Sequence, residues 1–213
     1  MNRENWLSLL KQHRVLAVIR ASDLTTGLAM AKAAAAGGIR LIEVTWNSDQ
    51  PAELVSHLRD SLSTCWIGAG TLLTRTEVKD AIAAGAQYGF SPHTAPELLE
   101  LGLNLDFPMV AGALTPTEIV TAWSAGAAGV KVFPISVVGG VAYLQSLQGP
   151  LSGIPLIPTG GVTPDNAAAL LQAGAIAVGI AGALFPKETV RSQNWDVITE
   201  RVHSLLQTLP PEH

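Results

Sequence analysis

Charge, sulfur and aromatic rings are all scarce in this sequence. Charged residues make up 14% of it and apolar ones 48%, which excludes a disordered chain, since such chains are rich in charge and poor in apolar side chains. Lysine and arginine number 13 against 17 acidic residues and form no cluster. Nucleic acid is therefore not expected as a main partner, because neutralising phosphates takes a basic footprint. The one cysteine, Cys65, has no second thiol for an intramolecular disulfide, which fits a reducing compartment. No apolar run reaches membrane-spanning length before a charge, a proline or a glycine pair interrupts it. The start, MNRENWLSLLKQHR, is amphipathic and charged, without the apolar run of a signal peptide. The expectation is a soluble cytoplasmic protein with one domain over residues 1–213 and no membrane partner.

What the chain does have is a recurring pattern. A helix-like run rich in alanine and leucine ends in Ala-Gly, and an apolar strand-like run follows. It occurs as AKAAAAGGIRLIEV, KDAIAAGAQYGFSP, VTAWSAGAAGVKVFP and AALLQAGAIAVGIAG. Glycine supplies the left-handed residue that closes a helix. The run after it is apolar on both faces, as in a parallel strand covered on both sides. Eight strands are expected, at 15–20, 40–45, 65–70, 86–91, 107–112, 129–134, 155–160 and 175–180. Evenly spaced βα units point to an α/β fold, a single (β/α)8 TIM barrel somewhat shorter than the roughly 250 residues typical of it. An open doubly wound sheet is the second choice, and it would not need eight such units.

Barrel active sites lie at the C-terminal ends of the strands. The residues that end these strands are polar or conformationally special: Arg20, then Glu43, Thr45 and Asn47, then Gly70-Thr71, then Ser91-Pro92-His93. Lys131 and Phe133 come from the sixth strand, Thr159-Gly160-Gly161 from the seventh, and Gly179 to Gly182 from the eighth.

Lys131 stands out, since lysine is rarely buried without a partner. The second and sixth strands face each other across an eight-stranded barrel, and alternate strands fill the same interior layer. Lys131 and Glu43 are thus expected to face one another. An apolar interior disfavours a charged amine, and a neutral amine adds to carbonyls to form a Schiff base. The protonated imine accepts the electrons of a breaking C–C bond, and a nearby carboxylate shuttles protons. The plainer alternative is a structural Glu–Lys ion pair, but buried pairs stabilise poorly.

TGGVTPDN (159–166) is a glycine-rich turn entering a helix, with Asp165 or Thr163 at the cap, and GIAGAL (179–184) is a second glycine turn. Barrels often hold phosphate with the loops after strands seven and eight. The plainer reading is that these glycines only make tight turns. His93 is a candidate pocket wall or proton carrier, and Trp46 a candidate border of the pocket. His13, His57 and His203 are expected on or near the surface. No His, Cys, Asp or Glu spacing resembles a metal site.

IEVTWNS around Glu43, GAGTLL around Thr71, FSPH around Pro92, GVKVFP around Lys131 and PTGGVTPDN around Thr159 together resemble the class I 2-keto-3-deoxy-6-phosphogluconate (KDPG) aldolases. The wider family includes 4-hydroxy-2-oxoglutarate (KHG) aldolase and 2-dehydro-3-deoxy-6-phosphogalactonate (KDPGal) aldolase. The resemblance spans Val15 to Phe185. It implies a small TIM barrel with an extra N-terminal helix, here residues 3–12, usually a homotrimer, and no metal or organic cofactor. It implies reversible cleavage of KDPG to pyruvate and glyceraldehyde 3-phosphate, in the Entner–Doudoroff pathway. Lys131 would be the Schiff-base lysine and Glu43 the general acid/base. Thr71 and Thr159 would contact the pyruvyl part, with Pro92 and Phe133 as walls and Gly160 and Gly161 offering N–H groups to phosphate. Thr45 and Gly182 would border the substrate.

Two positions depart from the family pattern. Asn47 stands where some members place an arginine that clamps the substrate carboxylate, leaving Arg20 as a source of positive charge. Ala181-Gly182 stands where many members have Gly-Ser, so a phosphate-holding hydroxyl is gone. KHG and KDPGal remain alternative substrates, and the Asn-Ser pair after Thr45 favours the KDPGal comparison. Two readings of other classes stay open: a phosphate-binding barrel such as a thiamine-phosphate-synthase-like transferase, and a barrel that only binds pyruvate-like acids. The first leaves the Lys131–Glu43 pair unexplained and lacks acidic metal-binding residues at the strand ends.

Overall fold

The structure is a computed structural model that describes residues 1–211. A helix, α1 (Arg3–His13), precedes the first of eight parallel strands. The strands are β1 (Val15–Ile19), β2 (Leu41–Thr45), β3 (Trp66–Gly70), β4 (Gly89–Phe90), β5 (Met109–Ala113), β6 (Val130–Val132), β7 (Leu156–Pro158) and β8 (Val178–Ile180). Between them run α2 (Leu24–Ala36), α3 (Pro51–Ser61), α4 (Arg75–Ala83), α5 (Pro96–Asn104), α6 (Pro116–Ser124), α7 (Val141–Leu151) and α8 (Pro164–Gln172). A 3-10 turn (Ile135–Val138) precedes α7, and α9 (Lys187–Arg191) and α10 (Trp195–Gln207) follow β8.

The strands pair in the order β7-β6-β5-β4-β3-β2-β1-β8. The two ends of that order meet through the Thr159–Gly179 bridge and the Ile176 N–H, which donates to the Leu156 carbonyl at 3.0 Å. The result is the expected α/β barrel of TIM type with its extra N-terminal helix. Four strands are shorter than the sequence suggests by three residues or more. β4 is two residues long, because residues 86–88 precede the regular ladder and the chain turns away at Pro92, and β6 stops at Val132, because Phe133-Pro134 leads into the 3-10 turn. β7 and β8 lose their flanking residues to Gly160 and to the turn before Val178.

Helix starts follow local chemistry. TRTE and TPTE each place a threonine three residues before a glutamate, and both form capping boxes, Thr74 with Glu77 and Thr115 with Glu118. Thr163, not Asp165, caps α8, with Asn166 reaching back to it.

Two apolar layers result. The outer one lies between strands and helices and includes Val44, Ile67, Ala111, Val130 and Ile180. The inner one fills the barrel near the strand starts, with Leu16, Leu41, Tyr88, Phe90 and Ile157. Helix α1 closes that end by burying Trp6 and Leu10 in the inner layer. The Trp6 ring lies 4.4 Å from that of Tyr88, centroid to centroid. The opposite end is left for polar groups. No helix is long and apolar enough to cross a membrane among the described residues.

Candidate active site

Strand register brings the two charged strand residues to the inner face. Val18, Glu43 and Gly68 lie side by side across β1, β2 and β3. Gly112, Lys131 and Ile157 do so across β5, β6 and β7. Glu43 is 1% exposed and Lys131 6%. No direct ion pair joins the described atoms of these two side chains. The structural ion-pair alternative therefore lacks its contact, although the charge of Lys131 still acts on the Glu43 carboxyl.

The Glu43 carboxyl is held by shape more than by hydrogen bonds. A Cβ on Gly70 would lie 1.7 Å from Oε1, so the carboxyl occupies the space that the missing side chain leaves. Gly68 makes the same concession to Tyr88, whose ring would come within 2.1 Å of a Cβ there. Tyr88 donates its hydroxyl to the Ile42 carbonyl at 2.8 Å and so leaves the carboxyl alone. Glu43 Oε1 is buried with no hydrogen-bond partner. Burial raises the Glu43 pKa above its ordinary value, against the smaller opposing pull of Lys131 and then of Arg20. A buried carboxyl of this kind is suited to accept and return a proton.

Lys131 Nζ lies 5.0 Å from the centre of the Phe133 ring and 5.9 Å from that of Phe90. Around this centre stand Thr45 and Thr159, both buried, with Thr71 and Pro92 half-buried and Phe133 at the rim. The Pro92 backbone leans over Gly112, where a Cβ would lie 2.2 Å from its carbonyl carbon. Gly179 leaves room in the same way for the Thr159 hydroxyl, 2.6 Å from a Cβ there. Thr71 adopts a left-handed φ of 59°, uncommon for a threonine, where the chain leaves β3.

A small hydrogen-bonded lattice positions the ends of β1 and β2. Thr45 Oγ1 and Ser48 Oγ are 3.2 Å apart, and Ser48 Oγ accepts the Ala21 N–H at 3.1 Å. Arg20 donates its Nε–H to Asn47 Oδ1 at 3.1 Å. Asn47 therefore orients an arginine that follows β1. Sequence reasoning named Arg20 and the Asn47-Ser48 pair but not the hydrogen bonds that tie Ser48 to Thr45 and Ala21, which only the fold makes.

Gly160 and Gly161 have φ of 82° and 86°. The Gly161 N–H donates to no acceptor among the described residues. The Ser136 side chain packs over Gly161, and Gly182 is open, with nothing within 4 Å of a Cβ. His93 is exposed, with Nδ1 3.1 Å from Ser91 Oγ. Trp46 packs against the outer apolar layer. His57 and His203 are exposed and His13 is half-buried. Among the described residues no group of three His, Cys, Asp or Glu could hold a metal ion.

Residues 7–201 match the family described as "Aldolase: KDPG and KHG aldolase". The chain belongs to the KDPG and KHG aldolase family. It is accordingly a class I aldolase, an enzyme that breaks carbon–carbon bonds. The KHG/KDPG aldolase of Escherichia coli K12 is 30% identical over 201 residues, which cover 92% of this chain and 94% of that protein. The KDPG aldolase of Legionella pneumophila, solved with pyruvate captured as a covalent carbinolamine, has a TM-score of 0.86 and 29% identity, covering 93% of this chain and 97% of the other. A structure described as native KDPGal has a TM-score of 0.82 and 27% identity, covering 91% and 92%. The transferase and binding-only readings give way to this membership.

Proposed function

We propose that this aldolase reversibly cleaves a 2-keto-3-deoxy acid, KDPG before the other candidates, to pyruvate and an aldehyde, with Lys131 as the Schiff-base residue. The observation that carries this reading is a buried lysine and a buried, unpartnered carboxyl on the inner face of one barrel with no ion pair between them. Lys131 Nζ adds to the C2 keto carbon, and the carbinolamine loses water to give an iminium ion. Glu43 takes the proton of the C4 hydroxyl. The C3–C4 bond then breaks, its electrons move into the iminium to form an enamine, and the aldehyde departs. The enamine regains a proton at C3, and water releases pyruvate from Lys131.

Thr71 and Thr159 contact the pyruvyl part, with Pro92 and Phe133 as walls and Thr45 beside Glu43. Arg20, oriented by Asn47, faces the substrate carboxylate in place of the arginine clamp that some relatives carry. Gly160, Gly161 and Gly182 offer backbone N–H groups to the distal end. For KDPG the aldehyde is glyceraldehyde 3-phosphate. KHG or KDPGal is the second reading: Gly182 stands where many relatives have a serine, so a hydroxyl is gone from the phosphate side, and Asn47-Ser48 resembles the KDPGal enzymes. A homotrimer acting in the cytoplasm completes the proposal.

The test is incubation with pyruvate and borohydride, then intact mass and peptide mapping. A pyruvate adduct on Lys131 is expected. A folded protein with no adduct would overturn the mechanism. Turnover on KDPG, KHG and KDPGal then ranks the substrates, and a near-absent KDPG rate would displace the first choice.

A further inference from the structure

A cavity of about 550 Å3 opens between the β1–α2 loop and the β8–α9 segment. That size suits a small-molecule site. Val18 and Arg20, at inward positions of β1 and just beyond it, form one wall, and Ala181 and Gly182 the adjoining one. Since Val18 is the β1 neighbour of Glu43, the cavity abuts the reacting centre. Its floor is apolar, with Met30, Phe185 and Val190, and its rim carries Lys187 and Arg191. Three cations thus border it, counting Arg20, and one of them is partly answered, since Arg191 pairs with Glu188 on α9. Lys187 and Arg191 are exposed, so nothing in the core depends on their charge.

An apolar floor under a cationic rim fits a short carbon chain that ends in an anion. Gly182, one of the backbone donors assigned to the distal end above, lines this cavity, and the glycine turns themselves supply N–H dipoles but no cation. We infer that this cavity is the subsite for the aldehyde-derived half of the substrate, and that Lys187 and Arg191 select substrates whose far end carries a phosphate or a carboxylate. The inference rests on the aldolase reading above and adds specificity residues to it. Arg20 links the two regions, because its charge reaches Glu43 while its side chain lines the cavity.

The test compares wild type with Lys187→Met, Arg191→Met and the double variant on three keto acids: KDPG, KHG, and the KDPG skeleton without its phosphate. Each is cleaved to pyruvate, but the far ends are a phosphate, a carboxylate and a neutral hydroxyl. In the double variant, kcat/KM on at least one anionic-ended substrate should fall about 10- to 100-fold, mainly through KM, as expected for lost charged hydrogen bonds. The neutral-ended substrate should change less than about threefold. Loss confined to KDPG identifies phosphate as the group held, and loss confined to KHG identifies carboxylate. Equal losses on all three substrates, or none on any, would overturn the inference. Pyruvate trapping separates it from the reading beneath it. If wild type traps no pyruvate on Lys131, both fall together. If trapping succeeds and the variants keep the wild-type preference, only the subsite falls.

Discussion

Gly70 and Glu43 share one volume: the carboxyl of the second fills the place where a side chain on the first would stand, 1.7 Å from a Cβ. The contact is with the carboxyl end of a side chain that buried strands enclose, so it cannot simply swing away. Gly70→Ala should therefore displace Glu43 and lower kcat by about 10²-fold or more, as small misplacements of reacting groups do. The far-UV circular dichroism should stay that of a barrel. A variant with wild-type kcat would show that the glycine is only a convenience of the β3 turn.

Glu43→Gln should slow the reaction by roughly 10² to 10⁴ fold, the usual contribution of a general acid/base. Stability should move the other way. Burial raises the Glu43 pKa, so the folded state prefers the protonated carboxyl more than the unfolded chain does. Ionising Glu43 therefore costs stability as pH rises through its folded value. The glutamine variant escapes that cost, so it should melt higher than wild type at about pH 8 and match it at about pH 4, where the unfolded carboxyl is already largely protonated. Thermal melts at several pH values check both the sign and the convergence.

Lys131→Met should abolish turnover and pyruvate trapping while the protein stays folded. The side chain is buried beside apolar and aromatic groups, and methionine is close to it in length and needs no partner. Wild-type-like activity in a folded Lys131→Met protein would place the reacting amine elsewhere.

Arg20→Met should raise KM about tenfold or more and change kcat less, because an arginine facing a carboxylate contributes mostly to binding. Asn47→Ala should have a smaller effect of the same kind, since it removes only the acceptor that orients Arg20. Steady-state kinetics of both variants decide this. A larger effect from Asn47→Ala would make the asparagine the direct contact.

The repeat of helix, glycine and strand was enough to read the barrel, because both periodicity and helix-ending glycines are local signals. Strand lengths were not local. Phe133-Pro134 and Ser91-Pro92 look like continuations of strands, but each keeps one bond to a neighbouring strand, Phe133 N–H to the Ala113 carbonyl and Ser91 N–H to the Val110 carbonyl, and then turns away at the proline. The burial of Lys131 and Glu43 was legible because each is a charge set in an apolar strand. The fit of Gly70 to Glu43 was not, since a glycine in GAGT looks like any tight turn until the next strand is laid beside it. Lys187 and Arg191 escaped notice for a different reason. They sit on a five-residue helix after the last strand, and only folding brings that helix next to β1.

Trp6 and Leu10 close the barrel at the strand starts, leaving one open end. A chamber with a single doorway imposes a queue. On the Schiff-base reading, the pyruvyl half is tethered to Lys131 deep in the barrel, and the aldehyde half lies between it and the outside. The aldehyde must leave first and pyruvate last. In the direction of synthesis, pyruvate must arrive before its partner.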